Sequence, residues 1–291
     1  MSFKKIIKNK TIKISFKISI TLFCFYILYS KIDFSVIGTI LLKANYFYIL
    51  LAVLFFIFSK YISTLRLNLF FEIIRLPISE KLNFKLYLLG MYYNLFLPGG
   101  IGGDGYKAYY LRKKFRDSSL KEILKAILFD RLSGLSVLFD LSIFLLYFLP
   151  FYFVFKDIVL VIIIVFIPIS FYFLSYLFFK ESLKHFFRLF IYSFGVQLTQ
   201  LASVFFIIIS LNIHDKIYEL LFVFLLSTIT VMIPITIGGS ILRELTFVYF
   251  STYFLYDKNH SITIALLFYL INALVSLLGM YYSFHSEKLK D

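Results

Sequence analysis

Apolar runs near 14–30, 46–64, 126–149, 158–179, 189–211 and 261–283 alternate with short polar connections along the chain. Each is close to the roughly 20 residues an α-helix needs to cross a bilayer, so the pattern predicts six full spans. Two further apolar stretches, about 86–106 and 217–256, are interrupted by Gly and Pro and do not fit simple crossings. Backbone that leaves the helix at membrane depth must be buried in protein or line a wet cavity. The expected fold is therefore an all-α polytopic membrane protein, about six full spans plus two Gly/Pro-broken re-entrant hairpins, in one domain covering 1–291.

Composition removes the soluble alternative. The 291 residues are 61% hydrophobic and 21% aromatic, and the mean hydropathy is +0.89, well above the roughly half-apolar usage of soluble domains. Cys24 is the lone cysteine and has no partner in the chain, so no intrachain disulfide forms. The first apolar run, "TIKISFKISITLFCFYILYS", follows a Lys-rich start and has no small-residue cleavage site before "KID". It reads as an uncleaved first helix.

Charge orients the spans, because Lys and Arg are enriched on cytoplasmic loops. Lys4, Lys5, Lys8 and Lys10 place the N-terminus inside. Arg66, Arg75, Lys81 and Lys85 mark the connection after the second span as cytoplasmic, and so do the seven bases of "KAYYLRKKFRDSSLKEILK". A stretch between two cytoplasmic loops cannot cross an odd number of times, so 86–106 dips in and returns. The region 180–188 falls inside, and the connections at 150–157 and 212–217, with one lysine each, fall outside. Whether 217–256 is a hairpin from the outer face or two crossings around 236–244, the C-terminus is cytoplasmic. The expected location is the cytoplasmic (inner) membrane. The basic stretch 107–125 fits orientation and anionic head groups, and nucleic acid is not an expected partner.

The two interruptions echo each other. "LPGGIGGD" and "IPITIGGS" share Pro-x-x-x-Gly-Gly, aligning Pro98 with Pro234 and Gly102 and Gly103 with Gly238 and Gly239; Gly99 and Gly100 add to the first break. Opposed broken helices meeting near the midplane are a recurrent transporter plan, so an inverted repeat is one reading. "GIGGDG" formally matches the dinucleotide pattern G-x-G-x-x-G, but that pattern needs a buried strand and a β-α-β unit. It also misses the phosphate loop, since Tyr106 separates Gly105 from Lys107. The membrane reading explains more: Gly allows the required dihedrals, Pro98 removes a donor, and amides freed before a new helix favour an anion. A Gly-rich turn that only lets helices pack closely is the plainer alternative.

"NLFLPGGIGGDGYKAYYLRKK", "FDRLSG" and "PITIGGSILRE", in this order and spacing, resemble the flippase-like transmembrane region of lysylphosphatidylglycerol synthases and their stand-alone relatives. The resemblance runs from about Arg66 to the end. It implies a protein that moves, or helps present, a lipid with a charged or glycosylated head group. Relatives with an extra soluble domain transfer lysine from charged tRNA to phosphatidylglycerol; this chain ends at Asp291 just after its last span, so that transfer is not expected of it. Two positions depart from the family pattern. Lys107 stands where Arg is usual, which weakens a bidentate phosphate clamp, and Ile241 stands where another Gly is usual.

Ionisable groups inside spans usually face protein or water. The candidate head-group site is Asp104, Lys107, Asp130, Arg131, Arg243 and Glu244, with Asp130 expected to orient Arg131 toward a lipid phosphate; the plainer alternatives are a snorkelling pair of Asp130 and Arg131 and mutual pairing of the hairpin charges. Lys60 and Arg66 read as snorkelling cations, Gln197 and Gln200 as inter-helix hydrogen bonders, and Asp140 as a midplane acid without a basic neighbour in its span. The four histidines are scattered, so no metal and no cofactor are expected. The leading function is binding and translocation of a phospholipid or polyprenyl-linked glycolipid. One alternative is a membrane enzyme acting on such a head group with Asp104 or Asp130 as base, disfavoured by the absence of a D-x-x-D cluster. The other is a scaffold for envelope-biosynthesis enzymes.

Overall fold

The computed structural model describes residues 34–96, 102–151, 155–232 and 240–289. Among the described residues every regular element is helical: α1 Phe34–Leu42, α2 Tyr46–Ile73, α3 Glu80–Phe96, α4 Gly102–Lys114, α5 Leu120–Tyr147, α6 Lys156–Phe178, α7 Phe186–Ser210, α8 Ile217–Met232, α9 Ser240–Phe254, α10 Lys258–Leu277 and α11 Met280–Phe284, with 3₁₀ turns at Lys180–His185 and Ser286–Lys288. Four segments, Tyr46–Ile73, Lys156–Phe178, Lys180–Ser210 and Lys258–Phe284, are long and apolar enough to cross a membrane. The protein is a multi-pass helical membrane protein. The expected first span, 14–30, lies outside the described residues. The third span expected from the sequence, 126–149, corresponds to α5, whose 28 residues carry Lys121, Glu122 and Lys125 in the first turns and Asp130, Arg131 and Asp140 farther along.

The antiparallel pair α2 and α7 forms the spine. Asn45 caps α2 by accepting from the Phe47 N–H, and its own N–H donates to the Ser210 carbonyl at 2.8 Å. Ser203 then donates to the Ala52 carbonyl at 2.8 Å, and farther along Arg66 reaches Ser193. Small residues at the contact let the two backbones approach, as helices in membranes require. In contrast, α6 packs on α5 and turns Ile162, Phe166, Ile169 and Phe173 outward, which is the expected face toward lipid.

Two antiparallel helical hairpins complete the bundle. In the first, α3 against α4, a Cβ built on Gly103 would lie 2.0 Å from the Gly90 carbonyl oxygen. This is a crossing that only glycine at 103 allows. In the second, α8 against α9, the Thr230 and Thr246 hydroxyls meet at 3.2 Å and the rings of Phe222 and Phe254 at 6.3 Å. The four arms have 17, 13, 16 and 15 residues. At about 1.5 Å per residue none reaches the roughly 30 Å hydrocarbon core.

Two large apolar cores, beside a small cluster of Ile37, Val248 and Ile262, flank a polar layer, and α2, α5 and α7 each run from one large core to the other. On α2, Phe56 belongs to one core and Leu67 to the other; on α5 the change falls between Phe129 and Val137; on α7 it falls between Leu189 and Val204. The intervening residues are polar at mid-helix, and they enclose the site.

Candidate functional site

A cavity of about 350 Å³ occupies the layer between the cores, room for roughly ten waters at about 30 Å³ each. The α2 side presents Lys60, Ser63 and Arg66 at helical spacing, and α7 presents Gln197 and Gln200. Both hairpins reach it: α4 contributes Asp104 and Lys107, α9 contributes Arg243.

Arg66 and Asp130 form a buried two-point pair, with Nε to Oδ1 at 2.8 Å and Nη2 to Oδ2 at 3.3 Å, while Nη1 donates to the Ser193 hydroxyl at 3.1 Å. Gly134 makes room for this guanidinium, since a Cβ there would sit 2.8 Å from Nη1. The Gly134 carbonyl is also held, accepting from Gln197 Nε2 at 3.1 Å. Gln197 therefore bridges helices and lines the cavity at once.

Asp104 holds a second cluster at the start of α4. Its Oδ1 lies 3.3 Å from Lys107 Nζ, one turn along the helix, and its Oδ2 lies 2.5 Å from Arg131 Nε on α5. Lys107 also rests over the Tyr87 ring at 4.4 Å. The helix begins where it does because Asn94 of α3 accepts from the Gly103 N–H at 2.8 Å, meeting one of the amides a helix start leaves open.

The remaining two cations make no ion pair with a carboxylate among the described residues, although Glu244 acts on Arg243 electrostatically. Lys60 Nζ sits 4.4 Å from the centre of the Phe56 ring, and among the described residues no acid lies within ion-pair distance of it. Arg243 is buried between the rings of Phe224 and Phe268, at 4.9 and 4.5 Å, and its Nη1 has no hydrogen-bond partner among the described residues.

Of the residues expected from sequence, Asp104, Lys107, Asp130, Arg131 and Arg243 line the one cavity, and Glu244 does not. Neighbours on a helix point about 100° apart, so with Arg243 directed inward Glu244 is carried out of the lining; its Oε2 is buried without a partner among the described residues. Asp130 holds Arg66 rather than Arg131, which belongs to Asp104. Arg66 is buried, not snorkelling, and with Lys60 it lines the cavity. Their spacing with Ser63 along one face of an apolar helix was the signal available in the sequence. Gly102 and Gly103 open α4, whereas Pro98, Gly99, Gly100, Pro234, Gly238 and Gly239 lie outside the described residues. Both oxygens of Asp140 are buried without a hydrogen-bond partner among the described residues, away from the cavity lining. Among the described residues no three His, Cys, Asp or Glu side chains cluster as a metal site would need.

The family model for the lysylphosphatidylglycerol synthase TM region matches residues 14–183 and 177–279. The chain belongs to this family. No curated protein and no solved structure matches it.

Proposed function

We propose that the protein binds a membrane lipid by a phosphate-containing or glycosylated head group in this cavity and carries the head group between leaflets. The observation that carries the reading is a charged cavity of about 350 Å³ at mid-helix, between two apolar cores, lined in part by α2, α7 and α10, which are long and apolar enough to cross a bilayer. Ionisable groups at that depth are costly without partners or a function. In this reading the short-armed hairpins are re-entrant and enter from opposite faces, with both termini cytoplasmic, and Asp104, Lys107, Asp130, Arg131 and Arg243 surround the head group. An enzymatic base has less support: each of the two candidate carboxylates already has both oxygens on cations.

The test is reconstitution. The full chain in vesicles of phosphatidylglycerol and phosphatidylethanolamine is expected to speed the transfer of an outer-leaflet, head-group-labelled phosphatidylglycerol to the inner leaflet, read as loss of accessibility to a membrane-impermeant quencher. The variant Arg131→Gln is expected to slow it. A rate equal to that of protein-free vesicles overturns translocation. Topology is read separately by single cysteines at 85 and 113 in a Cys24→Ala background. If only one of them is labelled from outside sealed cells, the first hairpin crosses the membrane and is not re-entrant.

A further inference from the structure

The charges around the cavity do not balance. Five cations face two carboxylates, a surplus of three positive charges, and the two acids are fully committed. Asp130 places both oxygens on Arg66, and Asp104 places one on Lys107 and the other on Arg131. Two of the three surplus charges are Lys60 and Arg243, which rest on aromatic rings, Arg243 feeling Glu244 only through the field beside it; the third stays on the cluster in which one acid, Asp104, serves both Lys107 and Arg131. The segments 97–101 and 233–239, which join the hairpin arms, contain no Asp or Glu and so add no acid. Asp140, whose two oxygens have no hydrogen-bond partner among the described residues, and Glu244, with one such oxygen, lie outside the lining.

We infer that the cavity selects lipids whose head group carries more than one negative charge on phosphate, a phosphate monoester or diphosphate, and disfavours aminoacylated head groups. The inference rests on the lipid-binding reading above and sharpens it to a charge class. A dianionic phosphate supplies what Lys60 and Arg243 lack, and charge-assisted bonds to buried cations are the strong ones. A lysyl-phosphatidylglycerol head group has ammonium groups outnumbering its phosphate. It brings further positive charge to a site with no unoccupied carboxylate to receive it, and like charges at close range cost several kcal/mol. This chain's cargo therefore differs in sign from the product for which its family is described.

Four lipids decide the question, each titrated against the purified full chain in neutral detergent and read by its shift of the unfolding temperature and by native mass spectrometry: a polyprenyl phosphate, a polyprenyl diphosphate, phosphatidylglycerol and lysyl-phosphatidylglycerol. The first two are expected to bind at least about tenfold tighter than phosphatidylglycerol, roughly the effect of one added charge-assisted contact, with lysyl-phosphatidylglycerol weakest. The difference between the first two separates monoester from diphosphate. Lys60→Gln should weaken polyprenyl phosphate binding about tenfold more than phosphatidylglycerol binding, and the ranking by the unmodified protein decides even if that variant does not fold. Lysyl-phosphatidylglycerol binding as tightly as the polyprenyl phosphate, or no ranking by charge, overturns the inference and leaves lipid binding standing. Binding of none of the four overturns both.

Discussion

The two helical hairpins start from nearly the same sequence device and end in opposite electrostatic states. In the first, Pro-x-x-x-Gly-Gly is followed by Asp104 and Lys107, and Asp104 gathers Lys107 and Arg131 into a closed cluster. In the second, the same device is followed by Arg243 and Glu244, which act on each other electrostatically but form no ion pair, Arg243 turning onto two rings and Glu244 out of the cavity lining. Spacing is the cause. Residues three apart share a helix face and adjacent residues do not. The anchoring differs too. The first hairpin is clasped by the last part of the chain: Lys85 donates to the Lys288 carbonyl at 2.8 Å, Tyr110 donates to the Leu289 carbonyl, and the Tyr93 and Ser283 hydroxyls meet at 3.2 Å. The second is held by rings, with Phe254 against Phe151, Phe222 and Phe250. One hairpin is a clasped element whose acid is ion-paired; the other delivers a cation stacked between rings with no ion pair among the described residues.

The largest effect is expected where the first hairpin crosses itself. A side chain at Gly103 meets backbone, the Gly90 carbonyl, which cannot rotate aside. Gly103→Leu should leave no monodisperse protein after detergent extraction, beyond the roughly 1–3 kcal/mol of ordinary overpacking. Gly105→Ala, with nothing within 4 Å of its Cβ, should extract and unfold like the parent. Equal behaviour of the two variants would mean that the arms do not cross at 103.

Next comes the contrast between the two acids. Asp104→Ala leaves Lys107 and Arg131 without their carboxylate, and breaking a buried pair from one side costs about 3–5 kcal/mol. Glu244 has an oxygen that is already unpartnered among the described residues, so Glu244→Gln should change stability by less than about 1 kcal/mol. Matched thermal unfolding of the two variants reads the difference. Similar losses would erase the distinction between a hairpin whose acid is ion-paired and one whose acid is not.

Much of this was legible in the sequence, and the failures follow one rule. Composition and spacing are sufficient for the helical class and the positions of α2, α6, α7 and α10; of the five groups expected to converge, Asp104, Lys107, Arg131 and Arg243 line one cavity and Glu244 does not. The same signals mislead over partners. Asp130 and Arg131 are adjacent in sequence, yet Asp130 faces α2 and Arg131 faces α4, a division fixed by which helix lies on each side. Arg66 sits in an apolar helix beside a basic loop, where a long side chain can escape to water. Burial against α5 and α7 is decided by tertiary packing that one helix does not announce. Lys60 was readable only together with Ser63 and Arg66.

A smaller effect is expected at the waist of the second hairpin. The Thr230 to Thr246 hydroxyl contact is its polar tie between arms. Thr246→Val keeps the shape and should cost about 0.6 kcal/mol, the average for hydrogen bonds between membrane helices. A cost above about 2 kcal/mol would place the hairpin's stability in that tie instead of in its rings.

The smallest effect lies where α9 turns into α10, outside the spans. Asp257 caps α10, its Oδ1 accepting from the His260 N–H and meeting the ring Nδ1, both at 2.7 Å. Partial burial alone would raise the carboxyl, but the hydrogen bonds from His260 outweigh it and hold Asp257 below its ordinary value. The sign follows: a depressed acid contributes stability that is complete above the ordinary Asp value of about 3.9 and is lost as pH falls through the lower folded value. Because the side chain is largely exposed, solvent screens the gain. Asp257→Asn retains a capping acceptor and removes the charge, so it should lower stability at neutral pH by under about 1 kcal/mol. Its unfolding temperature should also converge with the parent's as the pH is taken below about 4. A difference that persists unchanged at acid pH would assign the anchoring of this turn to shape alone. The second hairpin would then hold to α10 through packing at this end, as it does along its length.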